Sequence, residues 1–156
     1  MKPFNLLIRD LDVGDEYSPP GNCEANVATY AQNFMLAYLL LGATATRPTS
    51  WGIGLSLGSP TSVSGSEIAS GTGVVRSTGA FSSVNVNTFV NTIANTYGPV
   101  NAAGSYSGID VFDSLPASYT ANQGDLLLYG LLATARTVGS GDSLVLASSA
   151  LAVSLS

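Results

Sequence analysis

Between residues 22 and 42 the apolar positions Val27, Tyr30, Ala31, Phe34, Met35, Tyr38 and Leu41 recur at intervals of three and four. That spacing predicts one amphipathic helix. Asn22 can cap it, Glu24 suits its first turn, and Gly42 has the backbone freedom to end it. Leu39 and Leu40 widen the stripe, so the helix is expected to be covered on more than one side. From Trp51 the period changes: Trp51, Ile53, Leu55 and Leu57 alternate with Gly52, Gly54 and Ser56. This predicts a strand with one heavy face and one nearly bare face, open to close approach by another backbone. Residues 74–76, 81–90, 109–112, 126–132, 144–147 and 151–155 read as further strands, with 126–132 buried on both faces. Residues 58–73, rich in Gly and Ser, read as a long loop, and Gly139-Ser140-Gly141-Asp142 as a turn. The asparagines at 85, 87, 91, 95 and 101 follow no constant spacing, so no internal repeat is drawn from them and they read as solvent-facing or turn residues.

Ahead of the helix, Pro19, Pro20 and Gly21 interrupt any regular element. Residues 1–21 read as an extended N-terminal arm and 22–156 as the folded domain. Within the arm, Phe4, Leu6, Leu7 and Ile8 form a short apolar patch before an acidic spacer, and two readings stand open for it: a frayed terminus, or an interface patch covered by a neighbouring subunit. The fold class that follows is mainly β with one amphipathic α-helix: an antiparallel β-sandwich or jelly-roll-like domain carrying that arm.

Composition narrows the function. The chain has 156 residues, 46% of them hydrophobic and only 10% charged, with Gly, Ser, Thr and Asn making up much of the rest. Neutral polar groups are desolvated more easily than ions, so such a surface suits a protein covered by neighbours in an assembly. The net charge is -5, and the five basic residues, Lys2, Arg9, Arg47, Arg76 and Arg136, are scattered, which argues against a nucleic-acid partner. The longest apolar run, 34–41, is too short to cross a bilayer, and the acidic segment before it is wrong for an export signal, so no membrane partner is expected.

Without His, and with Lys2 as the sole Lys, neither a nucleophile triad nor a Ser-Lys pair can be assembled. Carboxylate chemistry would draw on Glu24, Glu67, Asp110, Asp113, Asp125 and Asp142, the last four placed where Asp commonly bonds backbone at strand ends and turns. The acidic run 10–16 misses the spacing of a calcium loop, and Cys23 stands alone. No catalytic, cofactor-binding or metal-binding residue is assigned. Tyr97, Tyr106 and Tyr119 lie among Gly, Asn and Ser, and are the candidate exposed aromatic contacts for a protein or a glycan.

The order of parts resembles a group of small tailed-bacteriophage virion proteins described as tail-fibre-like or as capsid decoration proteins. The resemblance is carried by the Arg47-Pro48-Thr49-Ser50-Trp51 turn into a strand, by Ile109-Asp110-Val111-Phe112-Asp113, by Leu127-Leu128-Tyr129-Gly130 and by the late Gly141-Asp142-Ser143-Leu144 turn, and it spans about residues 26–156. It implies a compact β domain with one helix that acts by assembly rather than catalysis, on the surface of the phage particle. The arm and residues 114–122 depart from the pattern. The first functional expectation is therefore a capsid decoration, or cement, protein, forming a small homo-oligomer such as a trimer and contacting the major capsid or other virion proteins. The alternative is a tail fibre, spike or collar component that attaches to a host glycan.

Overall fold

A computed structural model describes residues 4–8, 11–13, 25–40, 50–58, 73–85, 88–115 and 124–155. The strands in the first half are β1 (Phe4–Ile8), β2 (Leu11–Val13), β3 (Ala25–Val27), β4 (Trp51–Ser56), β5 (Ser77–Gly79) and β6 (Phe81–Asn85). Those in the second half are β7 (Thr88–Asn91), β8 (Asn95–Tyr97), β9 (Gly104–Phe112), β10 (Leu126–Val138), β11 (Leu144–Leu146) and β12 (Leu151–Leu155). The helix α1 (Thr29–Leu40) lies between β3 and β4. The strands form three antiparallel sheets with the orders β1-β12-β7-β6, β3-β10-β9-β4-β5 and β2-β11-β8.

Alternation along β4 and β9 decides which side of the five-stranded sheet is the core. Ile53 and Leu55 of β4 stand beside Val111 and Ile109 of β9 in register, and all four are buried. Around them gather Tyr97 of β8, Tyr106 of β9, Val138 of β10, Leu144 and Leu146 of β11 and Leu151 of β12. Side chains from all three sheets thus meet in one apolar layer, the arrangement of a sandwich. A smaller cluster, Ala28, Phe112 and Leu126 with Tyr129 against it, lies where the chain enters α1.

The predicted helix is shorter than its pattern. Residues 25–27 pair with 128–130 of β10 as strand β3, and the helix begins only at Thr29. Ala28 is the pivot: its N–H donates to the Leu127 carbonyl at 2.9 Å, and its own carbonyl accepts the Gln32 N–H at 3.1 Å. Sheet pairing outcompeted the helical periodicity at this end. Nor is α1 amphipathic, since none of its residues is buried, and its first and last turns hold no acidic or basic side chain respectively.

Other boundaries moved for similar reasons. The strand expected to start at residues 74–76 begins at Ser77, where pairing with β4 sets in, and Val74 and Arg76 ahead of it are buried. The expected strand over 81–90 is a hairpin, with Phe81 opposite Asn91 and Asn85 opposite Thr88. Strand β10 runs on to Val138, with register shifts against β9; Leu126 is buried, but Leu127, Leu128 and Leu132 are half-buried and Leu131 is exposed, so the strand is not buried on both faces. The turn at 139–142 forms as the sequence predicts. The Gly139 N–H donates to Asp142 Oδ2 at 3.0 Å, and Gly141 takes a φ of 90°. The predicted loop over 58–73 lies largely outside the described residues.

Candidate assembly surface

The bare face of β4 is closed from within the chain. A methyl group at Gly52 would fall 2.0 Å from Arg76 Cδ and 2.6 Å from the Ser114 carbonyl oxygen. Arg76 lies across this face, its guanidinium carbon 3.6 Å from the centre of the Phe112 ring and its Nη1 donating to the Ser114 carbonyl at 2.9 Å. Two positions further along the same face, the Ser56 hydroxyl donates to Asp110 Oδ2 at 2.5 Å, and both residues are wholly buried. Asp110 is therefore no turn residue. It sits in mid-strand opposite Gly54 and Tyr129, where the missing side chain of glycine leaves it room.

The remaining candidate carboxylates divide. Asp113 Oδ1 accepts the Asp125 N–H at 2.9 Å, and Asp142 closes its own turn, both serving backbone as expected. Glu24 and Glu67 lie outside the described residues. Among the described residues no group of three or more Asp, Glu or Cys side chains is placed to hold a metal ion, and no helix is long and apolar enough to cross a membrane.

Two of the three candidate contact tyrosines are not contacts. Tyr97 is 1% exposed and Tyr106 2% exposed, both in the main core. The Tyr97 hydroxyl donates to the Ile53 carbonyl and accepts from the Ser77 hydroxyl, each at 3.2 Å. Burial raises the pKa of the Tyr106 phenol above its ordinary 10.0. Their small polar neighbours read as loop, yet both tyrosines stand on strands that turn these rings inward. Tyr119 lies outside the described residues. Phe4, Leu6, Leu7 and Ile8 fall in β1, which pairs along its length with β12 of the same chain, Phe4 opposite Leu155 and Ile8 opposite Leu151.

Two of the asparagines are also buried, against expectation. Asn91 donates from Nδ2 to the carbonyls of Ile93 and Ala147 at 2.9 and 2.8 Å, and its Oδ1 accepts the Leu151 N–H at 2.9 Å. It bonds β7, the turn before β12 and β12 itself into one unit. Asn95 Nδ2 donates to the Thr78 carbonyl at 2.8 Å.

Sequence reasoning missed the surface left over. Along α1, Leu36, Tyr38, Leu39 and Leu40 are 47, 62, 71 and 74% exposed, and Tyr30 is partly so. The half-buried positions Ala31, Phe34, Met35 and Ala37 mark the inward side, with Tyr30 and Phe34 rings in tilted contact at 6.3 Å between centroids. Desolvation, and then the nearby Asp125 and Asp113 carboxylates, raise the Tyr30 pKa. The inward line continues to Tyr38, which is exposed, so the last turn stands clear of the sheets. The signal was present in the sequence: Leu36, Leu39 and Leu40 continue the side that begins with Thr29, Gln32 and Asn33, so the second half of the helix is apolar all round and cannot be amphipathic. Val75, Val84, Phe89 and Ile93 add exposed apolar side chains elsewhere.

Antiparallel sheets gathered around one apolar layer, with a single helix beside them, place the chain in the class of β-sandwich proteins. Residues 26–154 match the family of the podophage GP4 fiber I protein gp80, and the chain belongs to that family. It is thus a fibre-type structural protein of the phage particle. A comparison with curated proteins gives no match.

Proposed function

We propose that the chain is a non-enzymatic tail-fibre component of a podophage, acting by contact with other virion subunits during host attachment. The observation that carries this reading is the family match over residues 26–154. It favours the fibre reading over the capsid decoration reading that the sequence suggested first, because the family is described as a fibre protein. A non-catalytic role is supported by the carboxylates: Asp110 is enclosed with Ser56, while Asp113 and Asp142 are bonded to backbone.

Host contact through a Tyr97, Tyr106 and Tyr119 platform is not part of this proposal, since the first two rings lie in the core. Residues 1–21 keep the role of an attachment segment: β1, with Phe4, Leu6, Leu7 and Ile8, is the outermost strand of its sheet. Immunogold electron microscopy of intact virions, with antibodies raised against the chain, tests the assignment. Label confined to the tail or neck, at a copy number far below that of the shell protein, is the expected result. Label spread over the head at shell-like copy number would overturn it in favour of decoration.

A further inference from the structure

We propose that residues 4–13 form a strap that opens and closes over the C-terminal strands as one unit, and that the strap leaves its own chain when the arm attaches. The two strands of the arm belong to different sheets, yet they follow one line. β1 pairs antiparallel with β12, from Phe4 opposite Leu155 to Ile8 opposite Leu151, and β2 continues along β11, from Leu11 opposite Leu146 to Val13 opposite Leu144. Only Arg9 and Asp10 separate the two strands of the strap, facing residues 147–150 on the other side. Among the described residues the strap is the outermost strand of both sheets, so its ladder bonds run to one neighbour only.

The strands beneath have other support. β11 also pairs with β8, and β12 with β7. The link between β11 and β12 is tied from that same opposite side. The Asn91 side chain donates to the Ala147 carbonyl at 2.8 Å and accepts the Leu151 N–H at 2.9 Å, its backbone carbonyl accepts the Ser149 N–H at 2.8 Å, and the Ser148 hydroxyl donates to the Thr92 carbonyl at 3.0 Å. None of these bonds involves residues 4–13. Opening therefore breaks the strap's own ladder and leaves the rest of the sheets paired, a local event that needs less free energy than global unfolding. Pro19 and Pro20, which lack N–H donors, keep that ladder from running on toward β3, so the strap ends where β2 ends. Release during attachment rests on the reading of residues 1–21 as an attachment segment, whereas opening as a unit does not. A strap zipped to its own chain offers a neighbour only its outer edge, and release makes all its N–H and C=O groups available for strand pairing with that neighbour.

Native-state hydrogen exchange on the full chain tests the opening. The bonded amides of residues 4–8 and 11–13 should exchange together, at least about 100-fold less protected than the bonded amides of β9, which has neighbours on both sides. A clamp then tests the unit. Asn5 and Ser154 are directly opposite, so Asn5→Cys/Ser154→Cys in a Cys23→Ser background should close a disulfide on oxidation. Although the clamp lies in β1, it should narrow the gap to β9 by at least about 10-fold in β1 and β2 alike. Strap amides as protected as those of β9, or a clamp that protects β1 and leaves β2 unchanged, would overturn the proposal. For attachment, virions assembled without the chain are mixed with the purified clamp variant. The reduced form should bind as the wild type does, and the oxidised form at least about 10-fold less. Equal binding by both forms would overturn release and assign attachment to the outer edge of the closed strap. A wild type that fails to bind would refute the attachment reading itself, and the exchange data would still decide whether the strap opens.

Discussion

Gly52→Ala is a one-methyl change that the geometry marks as expensive. An alanine is ordinarily at least as good as glycine within a strand, because glycine gives up more conformational freedom on folding, by roughly 0.5–1 kcal/mol. Here the added carbon would lie 2.0 Å from Arg76 Cδ and 2.7 Å from Arg76 Cγ, with the Ser114 carbonyl oxygen 2.6 Å away. The side chain can yield only by moving its stem. That displaces the guanidinium from the Phe112 ring, a contact of about 2 kcal/mol when desolvated, and from the Ser114 carbonyl, a charge-assisted bond of about 1.5–3 kcal/mol. Partial loss of both, together with ordinary overpacking of about 1–3 kcal/mol, sets the expected destabilisation at about 2–4 kcal/mol.

The cause is separable by a double-mutant cycle. Arg76→Met keeps an apolar stem but gives up the cation and its bond, and alone should destabilise by about 3 kcal/mol. In the double variant the methyl group meets a flexible thioether instead of a pinned guanidinium, so the combined loss should fall short of the sum by at least about 1 kcal/mol. Urea unfolding of all four chains measures this, read as shifts of midpoint at constant slope. A Gly52→Ala chain as stable as the wild type, or single losses that add within about 0.5 kcal/mol, would refute the account of Arg76 as the strut across this face.

Two further outcomes follow from buried polar groups. Asn91→Ala removes three side-chain hydrogen bonds that join β7, the Ala147 turn and β12, and should destabilise by about 3 kcal/mol in urea unfolding; a loss under about 1 kcal/mol would mean that these bonds are readily replaced by water. Alkaline stability should depend on Tyr106: its folded pKa is raised above 10.0, so above that pH the unfolded chain releases a proton that the folded chain keeps, and stability is lost as pH rises. Unfolding followed from pH 9 to 12 (roughly the window around the ordinary Tyr value) should show that decline, less steep in Tyr106→Phe, and an unchanged slope in the variant would assign the decline elsewhere.

The strands most legible in the sequence were those whose alternation is enforced by two neighbours. Strand β4 lies between β9 and β5, and its Ile53 and Leu55 face the core as the period predicts. The turn at 139–142 was equally plain, because Gly141 and Asp142 satisfy a local geometry that needs no distant partner. The misreadings share a different origin. Whether an uncharged Asn or Tyr points inward depends on which strand pairs beside it, and that is a long-range fact. Asn91 and Tyr97 look like surface residues in a row of Asn, Thr and Gly, yet each is enclosed by elements more than forty residues away in sequence, Ala147 and Leu151 for one and Ile53 for the other. The Gly face of β4 reads as open to close approach by another backbone, and the Ser114 carbonyl does approach Gly52; that the Arg76 side chain lies there as well is what no local pattern specifies.

Charge alone does not separate what is buried from what is left outside. Residues 25–46 and 77–109 are both free of charged side chains, yet the second stretch supplies Tyr97, Val100, Tyr106 and Ile109 to the core, while the first leaves the last turn of α1 in solvent. The difference lies in how the backbone is satisfied. A strand must find neighbours for its N–H and C=O groups, and in finding them carries one face of its side chains into a sheet. A helix satisfies its own interior groups, so only its side chains can draw it inward, and the two termini still need partners. At the start of α1 that need is met by Ala28, bonded to Leu127, and the helix is anchored there. Among the described residues no comparable tie holds its far end, and the exposure of Tyr38, Leu39 and Leu40 follows from that asymmetry.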